Sequence, residues 1–136
     1  MFDAPQGWTH EGQLAQAEGM VDDFAVNNYT SRTSTRTYVG GYNTETGQIA
    51  LASSGGYPKW YAYCAEGNVC FALGGDPSKI IFTNAKTVEK VNGIKTAQPK
   101  DVCVGCQRDY DPSQFIPGVK AEPGGRWEGW QWNAGI

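Results

Sequence analysis

YAYCAEGNVCFAL, residues 61–73, is the stretch on which the fold turns. It reads as the start of a helix, yet it sets Cys64, Glu66 and Cys70 within seven residues of one another. A helix that only fills a core has no use for a carboxylate two residues after a thiol. Gly74 and Gly75 follow at once and end the helix.

Working outward, residues 9–28 carry Leu14, Ala17, Val21 and Phe24 on one stripe, which predicts a helix capped by Thr9. Residues 35–53 alternate around NTETG, a turn with Gly47 suited to positive φ, and predict a β-hairpin. GGYPKWYAY is a loop by its glycines and proline. KIIFTN predicts a buried strand. AKTVEKVNGIKTAQPKD reads as a longer connection with a strand around Gly93–Thr96. Cys103 to about Tyr110 predicts a helix stopped before Pro112, and GVKAEP a final short strand. The order predicts an α/β fold, a single-domain α/β/α sandwich with a mixed central sheet.

Of the four cysteines, Cys103-Val-Gly-Cys106 is a C-x-x-C turn, poor for a bridge outside redox sites and good for two ligands on one metal. A redox C-x-x-C belongs after a first strand in a βαβ unit, and this one lies near the C-terminus. A closed four-cysteine zinc site is disfavoured, because on a helix Cys64 and Cys70 lie more than one turn apart. The economical set is Cys64, Cys103 and Cys106 on Zn2+, with Cys70 a buried thiol. Three protein ligands leave the fourth position for water, the catalytic arrangement of zinc. Glu66, in the first turn after Cys64, can then move a proton without coordinating the ion.

Cys64-Ala65-Glu66, separated by 36 residues from Cys103-Val-Gly-Cys106, resembles the zinc nucleobase deaminase signature of the cytidine deaminase superfamily. Val102 stands where the family usually has proline. Free-nucleoside enzymes usually carry an arginine after the glutamate, where this chain has Gly67 and Asn68. The run SSGGYPKWYAYCAEG is similar to bacterial deaminase toxins, including the branch acting on cytosine in double-stranded DNA, although that branch has histidine in place of Cys64. The resemblance spans roughly residues 48–110.

It implies hydrolytic conversion of cytosine to uracil by a toxin domain, delivered into the cytoplasm of a target bacterial cell and held by an immunity protein. It also implies that the backbone N–H of Ala65 holds the base carbonyl. Ser53, Ser54, Gly55 and Gly56 would form a close backbone approach to the nucleotide. Trp60, Tyr61 and Tyr63 would stack on an extruded base or simply pack their loop. Asn43 and Asn84, at strand ends, are candidates to bond sugar or base. Arg108 would touch a phosphate or form a surface ion pair. His10 lies far from the motifs. Trp127, Trp130 and Trp132 would pack the tail or line a groove.

The totals agree with a single small domain. The chain has 136 residues, 40% hydrophobic and 18% charged, a globular composition. No apolar run approaches a membrane span, and MFDAPQGWTHEGQ lacks a basic-then-apolar signal pattern. A net charge of −3 argues mildly against a dominant phosphate-binding surface. Acids crowd the first helix (Glu11, Glu18, Asp22, Asp23), while Lys79, Lys86, Lys90, Lys95 and Lys100 open the way to a local basic face. Three readings therefore stand: a monomeric DNA cytosine deaminase, a deaminase of RNA or of free cytidine or nucleotides, and a structural zinc module that binds a partner. Glu66 speaks against the last.

Overall fold

A computed structural model describes residues 9–30, 36–54, 65–116 and 119–127. The chain order is α1 (His10–Asn28), β1 (Tyr38–Asn43), β2 (Ile49–Ser53), α2 (Ala65–Ala72), β3 (Ile80–Phe82), β4 (Ala85–Val91), β5 (Ile94–Lys100) and α3 (Val104–Asp109). Thr9 caps α1 as the sequence predicts, its hydroxyl accepting the Gly12 N–H at 3.1 Å. The buried line of α1 is Gln13, Ala17, Val21 and Ala25. It is turned slightly from the expected stripe, leaving Leu14 and Phe24 half-buried at its flanks.

The strands form one five-stranded sheet in the order β2-β1-β4-β5, with β3 also paired to β1. β1 meets β3 with its C-terminal half and β4 at Tyr38. All the strand pairings are antiparallel. The expected mixed sheet is corrected accordingly: the parallel contacts are two single bridges, Phe82 with Phe115 and Val102 with Ala121. Where GVKAEP predicts a final strand, Ala121 makes only the second of these bridges, flanked by the Val102 N–H donating to the Lys120 carbonyl and the Glu122 N–H donating to the Val102 carbonyl.

The long connection after β3 is also corrected. It is a regular hairpin, β4–β5, turning at Asn92 (φ 52°) and Gly93 (φ 79°). Positive φ at both central residues is what a two-residue hairpin turn needs, and Asn-Gly supplies it. Pro99 is tolerated because β5 lies at the sheet edge.

Neighbouring residues of β1 point to opposite faces, and two glycines show what covers each. A Cβ on Gly40 would come within 3.4 Å of the Ala17 carbonyl of α1. A Cβ on Gly41 would meet Val69 of α2 and the Ile81 carbonyl, both at 2.9 Å. So α1 covers one face and α2 the other. The larger core lies on the α2 side and joins Val39, Ala65, Val69, Phe82 and Ala85 to Cys106 of α3 and to Tyr110, which caps that helix. No helix among the described residues is long and apolar enough to cross a membrane.

Candidate active site

Glu66 sits in the first turn of α2, on the sheet side, and is 3% exposed. Burial pushes its carboxyl above the usual carboxylate range, and the nearby Cys103 sulfur pushes the same way. Its own backbone N–H, the Cys106 thiol and the Lys100 ammonium act in the opposite sense. Sheet packing thus brings Glu66 from α2 against Cys103 and Cys106 of α3, across the whole β3–β4–β5 segment.

Cys103 is the N-cap of α3, its sulfur accepting the Cys106 N–H at 3.4 Å. The Cys106 side chain beside it, with the backbone N–H groups of Cys106 and Gly105, lowers the Cys103 thiol to about 6 against the effect of burial and the Glu122 charge. Cys103 is therefore largely thiolate at neutral pH, the form that ligates metals. Cys106 is 1% exposed and faces both Cys103 and Glu66. Cys70, Cys103 and Cys106 are free thiols. Cys70 lies in the core as expected, and burial pushes its thiol up, unlike Cys103.

Cys64, the third expected ligand, lies outside the described residues, although it directly precedes α2. Among the described residues no group of three His, Cys, Asp or Glu is disposed to hold a metal ion. The donor chemistry nevertheless fits zinc: one thiolate and one buried thiol converge at a helix start, with a carboxyl beside them that can serve as a base. Cys64, Cys103 and Cys106 are the residues that would hold the ion.

Around this centre, Ala65 is fully buried as the first residue of α2. Ser54 closes the first hairpin: its Oγ accepts the Thr37 N–H at 2.9 Å and its N–H donates to the Thr37 carbonyl at 2.8 Å. Asn68 donates to the Ser53 carbonyl at 2.9 Å and fixes the start of α2 to the end of β2. Lys100, at the end of β5, donates to Thr37 Oγ1 at 3.0 Å. Gly55, Trp60, Tyr61 and Tyr63 lie outside the described residues.

Asn43 lies elsewhere. Its side-chain N–H donates to the Leu73 carbonyl at 3.1 Å, and its Oδ1 accepts from Glu45 and Thr46 at 2.8 and 3.2 Å. Both ends of the amide thus hold the turn and the far end of α2, about 10 Å along the helix from Glu66. Asn84 sits between β3 and β4, its N–H donating to Glu18 of α1 at 2.8 Å, on the face away from α2. Its buried Oδ1 finds no partner among the described residues.

The expected basic face is largely consumed. Lys79 pairs with Glu45 at 2.6 Å, and Lys86 with Asp22 at 3.4 Å and Glu18 at 4.0 Å. Lys95 donates to the Tyr29 carbonyl at 3.3 Å and lies 5.4 Å from its ring centre. Arg108 pairs with Asp109 on the surface.

A second layer holds α3, and sequence reasoning missed most of it. Buried Gln107 donates to the Val102 and Glu122 carbonyls at 2.9 and 3.0 Å and accepts the Trp127 N–H at 3.1 Å. Arg126 donates to the Gln107 and Tyr110 carbonyls, each at 2.9 Å. Trp127 packs edge-on against Phe115, its indole N–H donating to Tyr110 at 2.9 Å. The tail through Trp127 is thus a clamp on the helix that carries Cys103 and Cys106. Compared with family models, with curated proteins and with solved structures, the chain matches none.

Proposed function

We propose that this chain is a zinc-dependent deaminase that converts cytosine to uracil in DNA, acting as a toxin domain in a target bacterial cell and restrained by an immunity protein. The observation that carries the proposal is the meeting of buried Glu66 with Cys103 and Cys106. A structural thiol site gains nothing from a carboxyl held out of water beside it, whereas proton transfer at a metal-activated water needs one. The similarity of SSGGYPKWYAYCAEG to deaminase toxins, and the absence of an arginine after Glu66, favour a polymer over a free nucleoside.

Bound by Cys64, Cys103 and Cys106, zinc would supply the Lewis acidity that makes a water acidic near neutral pH. Glu66 would take the proton lost by the water whose oxygen adds to C4 of the base. It gives that proton to N3 and later helps the C4 amino group depart as ammonia. The sum is cytosine plus water giving uracil plus ammonia. The Ala65 N–H, at the first position of α2, holds the base carbonyl, and the aromatic residues 60, 61 and 63 would receive the displaced base.

The test incubates the protein, beside Glu66→Ala, with single-stranded and duplex oligonucleotides carrying cytosine in every context, followed by uracil excision and break mapping. Breaks that vanish with Glu66→Ala support a DNA deaminase. Zinc in the protein without breaks moves the substrate to RNA or free cytidine, and absence of zinc from the purified protein overturns the metal site.

A further inference from the structure

Lys100 ends β5, three residues before Cys103. In the β4–β5 register it lies opposite Ala85, whose side chain packs in the same core as Ala65. Cross-strand partners share a face of the sheet, so Lys100 lies on the α2 face. Its half-buried ammonium is tethered to Thr37 Oγ1 at 3.0 Å, and Thr37 is tied twice to Ser54. Its charge reaches Glu66.

Lys79 and Lys86 have carboxylate partners. Lys100 has none within ion-pair distance among the described residues, and its bond to Thr37 uses one of three ammonium protons. A cation held this way on the sheet face that carries α2, with no carboxylate in ion-pair reach among the described residues, is completed by an anion brought by the substrate. A nucleoside brings none, whereas a nucleotide or polynucleotide brings a phosphate next to the base.

Building on the deaminase reading, we infer that Lys100, braced by Thr37 and Ser54, binds a phosphate at or next to the target nucleotide and so makes the site selective for phosphate-bearing substrates over the free nucleoside. Lys100 is a binding residue here and takes no part in the proton transfers.

The experiment compares the unaltered chain with Lys100→Gln and Lys100→Arg, all checked for an unchanged circular dichroism spectrum. Deamination of deoxycytidine, deoxycytidine monophosphate and a cytosine-containing oligonucleotide gives KM and kcat. Fluorescence anisotropy of the labelled oligonucleotide at several salt concentrations gives Kd. Lys100→Gln should raise KM for the phosphate-bearing substrates about tenfold more than for deoxycytidine. It should also flatten the salt dependence of Kd by about one unit of slope, and Lys100→Arg should recover most of both. A rise for the oligonucleotide and not the monophosphate assigns the contact to a diester of the polymer; a rise for both assigns it to the target's own phosphate. Equal losses on all three substrates, or an unmoved Kd and salt slope, overturn the inference while leaving the deaminase reading intact. If the unaltered chain deaminates none of the three, the deaminase reading falls and the anisotropy arm decides alone: weaker binding with a flatter slope retains the phosphate contact, and unchanged or absent binding overturns it.

Discussion

The Cys106 side chain lies against both the Glu66 carboxyl and the Cys103 sulfur, at the junction of α2 and α3. Two helices separated in sequence by three strands thus present a thiol and an acid to one point. The acid is almost fully buried, so its protonation is coupled to folding.

In chelator-treated protein, burial raises the folded-state pKa of Glu66 above its ordinary value. The fold therefore prefers the neutral acid. That preference is fully present below the unfolded carboxylate range and is lost as pH rises through the folded pKa. Glu66→Gln keeps the shape and cannot ionise. Its Tm should match that of the unaltered protein near pH 4 and exceed it increasingly toward neutral pH, and the deamination proposed for this site should fall by about 10²–10⁴-fold. A Tm difference that stays constant between pH 4 and 8 would refute the buried-acid account.

Cys103 and Cys70 should separate in their reactivity. With its pKa near 6, Cys103 in metal-free protein should alkylate at a rate that climbs through pH 6 and levels off above pH 7. Cys70, in the core with its thiol pushed up, should stay unmodified over that range. Peptide mapping after brief iodoacetamide treatment distinguishes the sites. A Cys103 rate still rising at pH 8.5 contradicts the lowering of its thiol by the Cys106 side chain and the backbone N–H groups at the α3 start, and added zinc should protect Cys103 and Cys106 together.

Gly41 fixes the height of α2 above the sheet. A methyl there would meet both Val69 and the Ile81 carbonyl at 2.9 Å, one of them backbone. Gly41→Ala should cost about 1–3 kcal/mol, read from the urea midpoint, by lifting the helix that carries Glu66. Gly19→Ala, on the exposed side of α1 with nothing near its Cβ, should be neutral or slightly stabilising. Similar costs at the two positions would mean that α2 does not rest on β1 as described.

Much of this arrangement was legible because chemistry restricts residue type. Cys-x-Glu and Cys-x-x-Cys at helix starts have few other uses, and the structure brings Glu66, Cys103 and Cys106 together. Thr9 and Gly74-Gly75 marked their helix ends by ordinary capping rules. The β4–β5 hairpin was missed although Asn92-Gly93 is a strong turn signal, because lysines spaced along both arms and Pro99 gave the run the look of a solvated connection. Asn43 misled because an asparagine at a strand end serves a turn as readily as a ligand, and only its partners distinguish the two. Lys100 was legible only as one lysine of a basic run, because its place on the α2 face depends on strand register, which composition does not carry.

The clamp on α3 yields the last expectation. Gln107 satisfies the Val102 and Glu122 carbonyls and the Trp127 N–H with one side chain. Gln107→Leu fills similar volume but leaves these buried groups unpaired, at a cost of about 1–3 kcal/mol for each one not rescued by water. Gly125→Ala attacks the same point from the other side, since its Cβ would fall onto the side-chain amide of Gln107. Both should lower the unfolding midpoint. If the tail holds the metal-binding turn, both should also speed zinc loss to a chelator at temperatures well below unfolding. Lowered stability with an unchanged rate of zinc release would confine the clamp to holding the fold.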